Sequence, residues 1–506
     1  RPRRPVGKLQ VKGLRQLAAR LGQGVHKITG YKPAKLFHFF EDISAIPRGS
    51  ANEKAISDYL VAFAEERNLW YHRDALFNVI IKKPASAGAK EKPAVMLQGH
   101  TDMVCEKLAG VAHDFTTDPL DLIIKDGVLS ANGTTLGGDN GAAVACMLAI
   151  LDDDTLTHPA LECVFTTQEE IGLNGAEALD KSLLSARTMI NLDSEDEGVA
   201  TVSCAGGLRF ALTRPITRSK KEGMLLHLEA TGLLGGHSGT DINKEHQNAN
   251  LLMARMINHL FHNTDALLVD FNGGTKDNAI PRETSATLFY SDEVAAKNAE
   301  NLALALSADF SSEICPYEPA FQFLVSTENG TADVISAEDG KAFITAMCLA
   351  PNGVQFRNMN LDGFTVTSLN LGIAATDETS ASLVFAPRSS VATLMSALKE
   401  KLCLLAETFG FEVSMHGEYP GWSFAEVSPI RDVFVQSYKE LFHDDLKIEA
   451  IHAGLECGLF SDAIPGLDAI AVGPTIRGCH TPDEHLPLDS FERFYELLTD
   501  VLKKLA

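Results

Sequence analysis

The run Ala94-Val95-Met96-Leu97-Gln98-Gly99-His100-Thr101-Asp102 decides the fold class, because an apolar, β-rich stretch ends there in an imidazole and a carboxylate. Two further apolar runs also end in acids: residues 161–167 lead into Glu169-Glu170, and residues 188–192 lead into Asp193. Strands of this kind, alternating with helical patterns, predict an α/β domain with a mixed, largely parallel sheet. The polar residues then lie just past the carboxyl ends of strands, where open α/β sheets place their sites.

Length and composition restrict the class of protein. The chain has 506 residues, so two or three domains are expected. A net charge of −23 argues against nucleic acid as a partner, and the longest apolar stretch is about half of what a membrane span needs. Nine cysteines without a C-x-x-C pair indicate reduced thiols, and we therefore expect a cytoplasmic protein.

The amino-terminal segment differs from the rest of the chain. Residues 1–33 contain nine Lys or Arg and no Asp or Glu. We interpret this segment as a disordered basic extension and exclude it from the fold. A cleavable organelle-targeting peptide has a similar composition, although the segment lacks Ser, and that alternative stays open.

The remaining chain predicts an insertion. Residues 207–421 show short strands and amphipathic helices in two similar sets, the first beginning with a strand at 225–230 and the second with a strand at 321–326. Each set predicts an α+β, ferredoxin-like unit with helices on one face of an antiparallel sheet. The α/β pattern returns after residue 421. We therefore predict a catalytic domain split between 34–206 and 422–506, with a second domain inserted at 207–421.

The polar motifs together predict a metal-dependent hydrolase. Asp102 can orient the ring of His100, and Asp139 lies in the turn Gly137-Gly138-Asp139-Asn140-Gly141, where glycines permit close approach. The pair Glu169-Glu170 can supply one metal ligand and one general base. Each motif alone more often has a purely structural role than a catalytic one. Taken together, however, their histidines and carboxylates suit two divalent cations that share one carboxylate. Within residues 479–485 the chemistry alone does not choose between His480 and His485.

The same motifs carry a family resemblance. Gly-His-Thr-Asp-Met-Val, Gly-Gly-Asp-Asn-Gly, Glu-Glu-Ile-Gly, Asn-Leu-Asp-Ser-Glu and Cys-His-Thr-Pro-Asp-Glu, in this order, resemble the M20 family of co-catalytic zinc peptidases, and within it the aminoacylhistidine dipeptidases. The resemblance runs from about residue 31 to the carboxyl terminus. It implies that the split catalytic domain is of the phosphorylase/hydrolase-like type and that the inserted domain is a lid.

The resemblance also implies roles for individual residues. One cation is expected on His100, Asp139 and Asp193, and the other on Asp139, Glu170 and His480. Glu169 is expected to be the general base and acid, and Asp102 to orient His100. In the lid, His237 is expected to polarise the substrate carbonyl. The candidates for substrate binding are His237, Asn278, Arg282 and Arg388, together with Glu456 in a loop that could line the pocket.

These inferences predict a cytosolic metallodipeptidase that cleaves Xaa-His dipeptides such as β-alanyl-histidine, with metal-activated water and Glu169 as general base. Zn is the expected metal, and Mn or Co suit the same ligands. Four alternatives stay open: an N-acyl-amino-acid amidohydrolase, a broader di- or tripeptidase, a mononuclear enzyme, and a non-catalytic metal-binding scaffold. The small peptide is the expected partner, and a homodimer is left open.

Overall fold

The structure is a computed structural model, and it describes residues 26–506. Most of the predicted basic extension, residues 1–25, lies outside the described residues. The next residues, 26–33, make specific contacts, in contrast to the disorder predicted for them: Ile28 is buried, and the N–H groups of Lys27 and Ile28 donate to Glu41 Oε1 at 2.7 and 2.8 Å. Among the described residues, no helix combines the length and the apolar character needed to cross a membrane.

The helices and strands are numbered in chain order over residues 26–506. The helices are α1 (Ala34–Ser44), α2 (Lys54–Glu66), α3 (Gly138–Asp152), α4 (Asn174–Ala178), α5 (Ala249–Asn263), α6 (Glu293–Ile314), α7 (Ala337–Leu349), α8 (Ala392–Phe409), α9 (Pro429–Phe442), α10 (Glu456–Ala463) and α11 (Leu488–Leu505). The strands are β1 (Trp70–Arg73), β2 (Val79–Lys83), β3 (Val95–His100), β4 (Leu122–Lys125), β5 (Val128–Ala131), β6 (Leu161–Thr166), β7 (Thr188–Asn191), β8 (Val199–Cys204), β9 (Gly206–Pro215), β10 (Arg218–Thr231), β11 (Gly236–His237), β12 (Leu267–Gly273), β13 (Ala279–Ile280), β14 (Thr284–Tyr290), β15 (Gln322–Ile335), β16 (Gly353–Asn358), β17 (Phe364–Thr376), β18 (Ser380–Ser389), β19 (Glu412–Tyr419), β20 (Lys447–Ile451), β21 (Asp468–Ala471) and β22 (His485–Pro487).

The chain forms two compact units. Of the described residues, the first contains 26–202, 424–450 and 455–506, and the second contains 203–423 and 451–454. These borders lie close to the predicted ones at 206 and 421. Residues 451–454 differ from the prediction, because they belong to the second unit.

The first unit contains an eight-stranded sheet in the order β1-β2-β6-β3-β7-β21-β8-β20. Strands β6, β3, β7 and β21 are parallel to one another, whereas β1 pairs antiparallel with β2, β2 with β6, and β8 with β21. Every residue of β3 and β6 is buried, which explains why these strands read as continuous apolar runs rather than alternating ones. Helix α3 is buried from residue 138 to residue 151, as expected for a helix that is apolar on all sides.

The second unit contains a nine-stranded antiparallel sheet in the order β15-β10-β14-β12-β17-β18-β9-β19, with β16 paired to β17. Strands β10, β12, β14 and β15 with helices α5 and α6 form one ferredoxin-like repeat. Strands β9, β17, β18 and β19 with helices α7 and α8 form the other, and the two join through β12 and β17. The first repeat is therefore nested inside the second.

The nesting corrects one detail of the prediction and leaves the rest intact. Residues 321–326 do not begin the second repeat; they fall at the start of β15, the last strand of the first repeat, which pairs with β10 along its whole length. The first strand of the outer repeat is β9, far away in sequence. The predicted class, a mixed α/β domain with an α+β insertion of two ferredoxin-like units, is confirmed.

Candidate metal centre

Three neighbouring strands bring three predicted ligands to one edge of the first sheet. Strands β3, β6 and β7 run parallel, and His100 pairs with Thr166 in this register. His100 is the last residue of β3, whereas Glu170 and Asp193 follow the ends of β6 and β7. The side chains converge because the carboxyl ends of parallel strands meet at the same edge.

Asp139 reaches this edge from the glycine-rich turn that begins α3. Gly137 has a φ of +68°, and a Cβ added there would lie 2.5 Å from Arg48 Nη2, so no larger residue fits. The Arg48 guanidinium fills that space, donating from Nη2 to Gly137 O at 2.7 Å and from Nη1 to Thr101 O at 3.0 Å. Arg48 therefore ties the turn of Asp139 to the loop after His100, a role that the sequence analysis missed.

Asn140 connects two of the converging strand ends. Its Oδ1 accepts a hydrogen bond from His100 N at 3.0 Å, and its Nδ2 donates to Leu192 O at 2.9 Å. All these groups are buried. The backbones that carry His100 and Asp193 are thus held through one amide side chain.

The segment after Cys479 supplies the last imidazole, and the structure selects between its two histidines. His480 Nε2 lies 3.0 Å from Asp139 Oδ2 and 3.0 Å from Glu170 Oε1. His485 lies on β22, and its Nδ1 contacts Asp483 O. Glu484 has a supporting role, since its carboxylate accepts hydrogen bonds from backbone N–H groups of the Asp139 turn, at Leu136, Gly137 and Asp139.

Asp139 lies between two sets of donor atoms. Its Oδ1 is 3.0 Å from His100 Nε2, and its Oδ2 is 3.0 Å from His480 Nε2. The donors of His100, Asp139 and Asp193 lie within 4.8 Å of one another, as do those of Asp139, Glu170 and His480. Ligands about 2.0–2.2 Å from a cation are separated by roughly 3 Å, so both groups have the spacing of a metal site.

Asp102 supports both halves of the centre. Its backbone O lies 3.0 Å from His100 Nδ1, and its carboxylate Oδ1 lies 3.3 Å from the same nitrogen. A proton on Nδ1 leaves the lone pair of Nε2 facing Asp139. The carboxylate also accepts hydrogen bonds from the N–H groups of Glu169 and Glu170 at 3.1 and 3.3 Å. Burial raises the pKa of Asp102, but the hydrogen bond and charge of His100 lower it below its ordinary value.

The electrostatics of the cluster favour a bound cation. Hydrogen bonds to Asp139 and Glu170 raise the pKa of His480 to about 11. Burial lowers the pKa of His100, but the charges of Asp193 and Glu169 raise it well above its ordinary value. Both imidazoles therefore attract positive charge, which a divalent cation would supply in place of protons. Imidazole and carboxylate donors fit Zn, Mn or Co.

Glu169 lies beside the two donor groups that share Asp139. Its Oε2 is 3.7 Å from His100 Nε2. Burial raises the pKa of Glu169 well above its ordinary value, and the charges of Asp193, Glu456 and Glu170 act in the same direction, although His100 opposes them. A carboxylate that binds protons this readily is suited to proton transfer.

Glu195 lies two residues after Asp193, and it is exposed but close to the centre. Donor atoms of Glu195, Cys479 and Asp139 lie within 4.8 Å of one another, and burial raises the pKa of Glu195 to about 7. The next two acids do form surface ion pairs: Asp196 with Arg477, and Glu197 with Arg493.

Glu456 is not in an open loop. It is the first residue of α10 and its side chain is fully buried. Gln98 Nε2 donates to Glu456 Oε2 at 2.7 Å. The structure thus places this residue inside the first unit, next to the strand that carries His100.

In the second unit, His237 and Arg388 lie close together around Gly239. A Cβ added to Gly239 would lie 3.1 Å from both Arg388 Nε and His237 Cε1. Arg388 is buried, and its guanidinium donates to Ser238 Oγ and Tyr419 OH. Among the residues that the structure describes, no carboxylate forms an ion pair with Arg388, so its charge is uncompensated.

The tautomer of His237 follows from its neighbours. Its Nδ1 accepts hydrogen bonds from the N–H groups of Gly239 and Thr240, both at 3.1 Å. Burial lowers the pKa of His237, and the charge of Arg388 lowers it further. The neutral ring therefore carries its proton on Nε2, where it can act as a donor.

Asn278 and Arg282 lie nearer the surface of the second unit. Asn278 precedes β13, and its backbone O accepts a hydrogen bond from Ser238 N at 2.9 Å. Arg282 is exposed, and its Nε donates to Leu233 O at 3.1 Å. Both stay candidates for substrate binding, but neither is buried as Arg388 is.

Known proteins resemble this chain over nearly its whole length. It is 36% identical over 487 residues to the cytosol non-specific dipeptidase of Escherichia coli (strain K12), covering 95% of this chain and 99% of that protein. The crystal structure of aminoacylhistidine dipeptidase from Vibrio alginolyticus matches with a TM-score of 0.89 and 35% identity, covering 96% of this chain and 99% of that one. An aminopeptidase from Bacillus cereus, 15% identical with a TM-score of 0.54 over 94% of this chain and 99% of its own, shares the fold.

The family assignment rests on the sequence model as well as on these relatives. The model of peptidase family M20/M25/M40 matches residues 96–504, a range that contains every motif of the candidate metal centre. The resemblance inferred from those motifs is confirmed, and the chain belongs to peptidase family M20 and is a peptide hydrolase.

Proposed function

We propose that this chain is a cytosolic dipeptidase that uses two divalent cations to hydrolyse Xaa-His dipeptides, including β-alanyl-histidine. The observation that carries the proposal is the position of Asp139, whose two carboxylate oxygens each lie 3.0 Å from a different imidazole. One shared carboxylate between two donor groups is the arrangement of a two-metal hydrolase. The names of two relatives that are 36% and 35% identical to this chain, a cytosol non-specific dipeptidase and an aminoacylhistidine dipeptidase, support the substrate class.

In this proposal, His100, Asp139 and Asp193 hold one cation. Asp139, Glu170 and His480 hold the other, and Zn is the first candidate, followed by Mn and Co. When bound, the cations act as Lewis acids and lower the pKa of water towards about 7.

Glu169 transfers the proton. It takes a proton from the attacking water and later gives it to the departing amine, as the raised pKa of this buried carboxyl permits. Asp102 holds Glu169 in place, because its carboxylate accepts a hydrogen bond from Glu169 N at 3.1 Å. It also keeps the proton of His100 on Nδ1, facing away from Asp139.

The second unit supplies the groups for the rest of the substrate. Arg388 is a buried cation without an acidic partner among the described residues, and it is the first candidate for the carboxylate of the dipeptide. The Nε2–H of His237 is a candidate donor to the scissile carbonyl oxygen as negative charge develops on it. Asn278 and Arg282 are further candidates for the carboxylate.

A second candidate is a dipeptidase of broader specificity. The relative from Escherichia coli is named a non-specific dipeptidase, and it is 36% identical to this chain. A hydrolase of N-acyl-amino acids would use the same donor groups and would differ only in the substrates accepted.

A substrate panel separates these functions. Purified protein is incubated with β-alanyl-histidine, Gly-His, Gly-Leu, a tripeptide and N-acetyl-histidine, with added Zn or Mn and after chelation. Glu169→Gln is measured in parallel, and Glu66→Gln, an exposed acid of the same unit, is the control. Metal content is determined for each protein.

The proposal expects metal-dependent cleavage of the two His dipeptides, lost in Glu169→Gln while two metals stay bound. Equal cleavage of Gly-Leu would favour the broader dipeptidase. Cleavage of N-acetyl-histidine alone would assign the chain to the acyl-amino-acid hydrolases. A single bound metal in a fully active protein would contradict the two-cation mechanism.

A further inference from the structure

Glu456 is an ionisable residue in a fully buried position. Its side chain has no exposed surface, and its immediate donor is the amide of Gln98 at 2.7 Å. Burying a carboxyl group costs free energy unless its partners compensate for the lost water. Neither the fold nor the proposed reaction accounts for a carboxyl group at this position.

Glu456 begins a chain of hydrogen bonds that ends at a proposed metal ligand. Gln98 Oε1 accepts from Asn191 Nδ2 at 2.5 Å, and Asn191 Oδ1 accepts from Asp193 N at 3.0 Å. Gln98 and Asn191 face each other in register on the parallel strands β3 and β7, and both are buried. Only two side chains thus separate Glu456 from the backbone of Asp193.

The acceptor at the start of this chain determines the orientation of both amides. Burial raises the pKa of Glu456 to about 7, and Oε2 accepts from Gln98 also when the other carboxyl oxygen holds a proton, so Gln98 turns its Nε2 towards Glu456. Its Oε1 then faces Asn191 and requires the Nδ2 of that residue. The Oδ1 of Asn191 consequently faces the N–H of Asp193 and accepts a hydrogen bond from it.

Gln98 Nε2 also donates to Thr166 Oγ1 at 3.1 Å, but a hydroxyl can donate as well as accept, so without Glu456 the opposite orientation of the Gln98 amide becomes available. If Gln98 turned its Nε2 towards Asn191, the latter would have to present its Oδ1 in return. Its Nδ2 would then face the N–H of Asp193, and two donors would oppose each other. The backbone of Asp193 would lose its hydrogen bond and its fixed position.

We propose that Glu456 is a positioning residue for Asp193, acting by fixing the orientation of the Gln98 and Asn191 amides. This role replaces the substrate contact expected from the sequence. It rests on the proposed function only in taking Asp193 as a metal ligand. The supporting groups around a ligand commonly change metal affinity or activity by about 10- to 100-fold when they are removed.

Two substitutions separate the hydrogen bond from the charge. Glu456→Gln is uncharged but keeps a carbonyl oxygen that can accept from Gln98. Glu456→Met fills a similar volume and has no such acceptor. Glu162→Met is the matched control, because Glu162 is also a buried glutamate of the first sheet but accepts from the N–H groups of Ser185 and Ala186, away from the ligands.

Each protein is stripped of metal with a chelator and titrated with Co²⁺, whose visible absorption spectrum reports the geometry of its ligands. We expect Glu456→Gln to keep the wild-type spectrum and affinity. Glu456→Met should change the spectrum and weaken Co²⁺ binding by about 10- to 100-fold. Glu162→Met should lower stability without changing the spectrum.

Hydrolysis of β-alanyl-histidine gives a second readout. For Glu456→Met we expect kcat to fall by about 10- to 100-fold with KM altered much less, since a positioning role does not involve substrate contact. The Co²⁺ spectra remain informative even if the wild-type protein cleaves none of the proposed substrates, so failure of the two proposals can be distinguished.

Two results would overturn the inference. A wild-type Co²⁺ spectrum and affinity in Glu456→Met would show that Asp193 needs no such support. A loss in Glu456→Gln as large as in Glu456→Met would assign the effect to charge rather than to amide orientation. If Glu456→Met does not fold, Asn191→Ala tests the chain from its other end, and a wild-type spectrum in that variant would also refute the proposal.

Discussion

Asn140 offers the sharpest test of how the candidate metal centre is held together. Its side chain satisfies two buried backbone groups, the N–H of His100 at 3.0 Å and the C=O of Leu192 at 2.9 Å. Asn140→Ala removes the partner of both groups. An orphaned buried polar group costs about 1–3 kcal/mol, so the two together should lower the free energy of unfolding by about 2–6 kcal/mol.

The assay uses the distribution of tryptophan in the chain. There are two tryptophans, Trp70 in the first unit and Trp422 in the second. In a Trp422→Phe background, Trp70 fluorescence during urea unfolding reports the first unit alone. All measurements are made with chelator present, so that differences in metal binding do not contribute.

Asn132→Ala is the control, because Asn132 makes an exposed side-chain hydrogen bond to Asp121 in the same unit. It should change the free energy of unfolding by less than about 0.5 kcal/mol. A loss below about 1 kcal/mol for Asn140→Ala would show that the two backbone groups find other partners, and the proposed role of Asn140 would be wrong. A loss in the expected range, with weaker metal binding as well, would support it.

Four further outcomes are expected. Glu169→Gln should lower kcat by about 10²- to 10⁴-fold with metal content unchanged, and a smaller loss would exclude it as the general base. Arg388→Met should raise KM for β-alanyl-histidine but not for its carboxyl-terminal amide; an equal rise for both would contradict carboxylate binding. Chelation should abolish hydrolysis and lower Tm, and added Zn should restore both, because the carboxylates around Asp139 repel one another without cations. Burial lowers the pKa of His452 from 6.5 to about 3, so between these pH values the unfolded chain binds a proton that the folded chain does not bind. The free energy of unfolding of the second unit should therefore decrease as the pH falls from about 6.5 to about 3. His452→Phe should make this decrease smaller, as measured by Trp422 fluorescence in a Trp70→Phe background.

The parts of the site that could be predicted from sequence are those encoded locally. His100 ends an apolar strand, and Glu170 and Asp193 lie a few residues past the ends of two others, so the pattern that reveals the strand also places the residue near its end. Parallel pairing then brings all three to one edge. Asp139 could also be recognised from its local sequence, because it lies in a glycine-rich turn at the start of a helix that is apolar on every side.

The supporting residues could not be predicted, because their partners are distant in sequence. Arg48 contacts backbone oxygens of Thr101 and Gly137, and Glu484 contacts backbone N–H groups near Asp139. Nothing in the residues around Arg48 indicates these partners. One indirect signal exists: a glycine at 137 and another at 141 leave the space that the guanidinium fills, but its occupant is visible only in three dimensions.

The second unit shows a different limit. The helices and strands of each repeat were visible as alternating patterns, but the pattern of β15 fits the start of one repeat as well as the end of another. Pairing decides the matter: β15 lies beside β10, and the outer repeat draws its first strand from β9. Local periodicity contains no information on which distant strand becomes a neighbour.

The nesting of the two repeats has a consequence for the origin of this chain. The inner repeat leaves and rejoins the outer one at adjacent points, since Arg218 pairs with Ile335 and Ser336 N donates to Thr217 O at 2.9 Å. A segment whose two ends meet can be gained or excised in one step, without rerouting the polypeptide around it. Joining Thr217 directly to Ser336 would leave β9, β17, β18 and β19 in their present order. This arrangement is the one expected if one copy of a duplicated module was inserted into a loop of the other copy. Residues 218–335 are therefore a suitable segment for exchange or circular permutation.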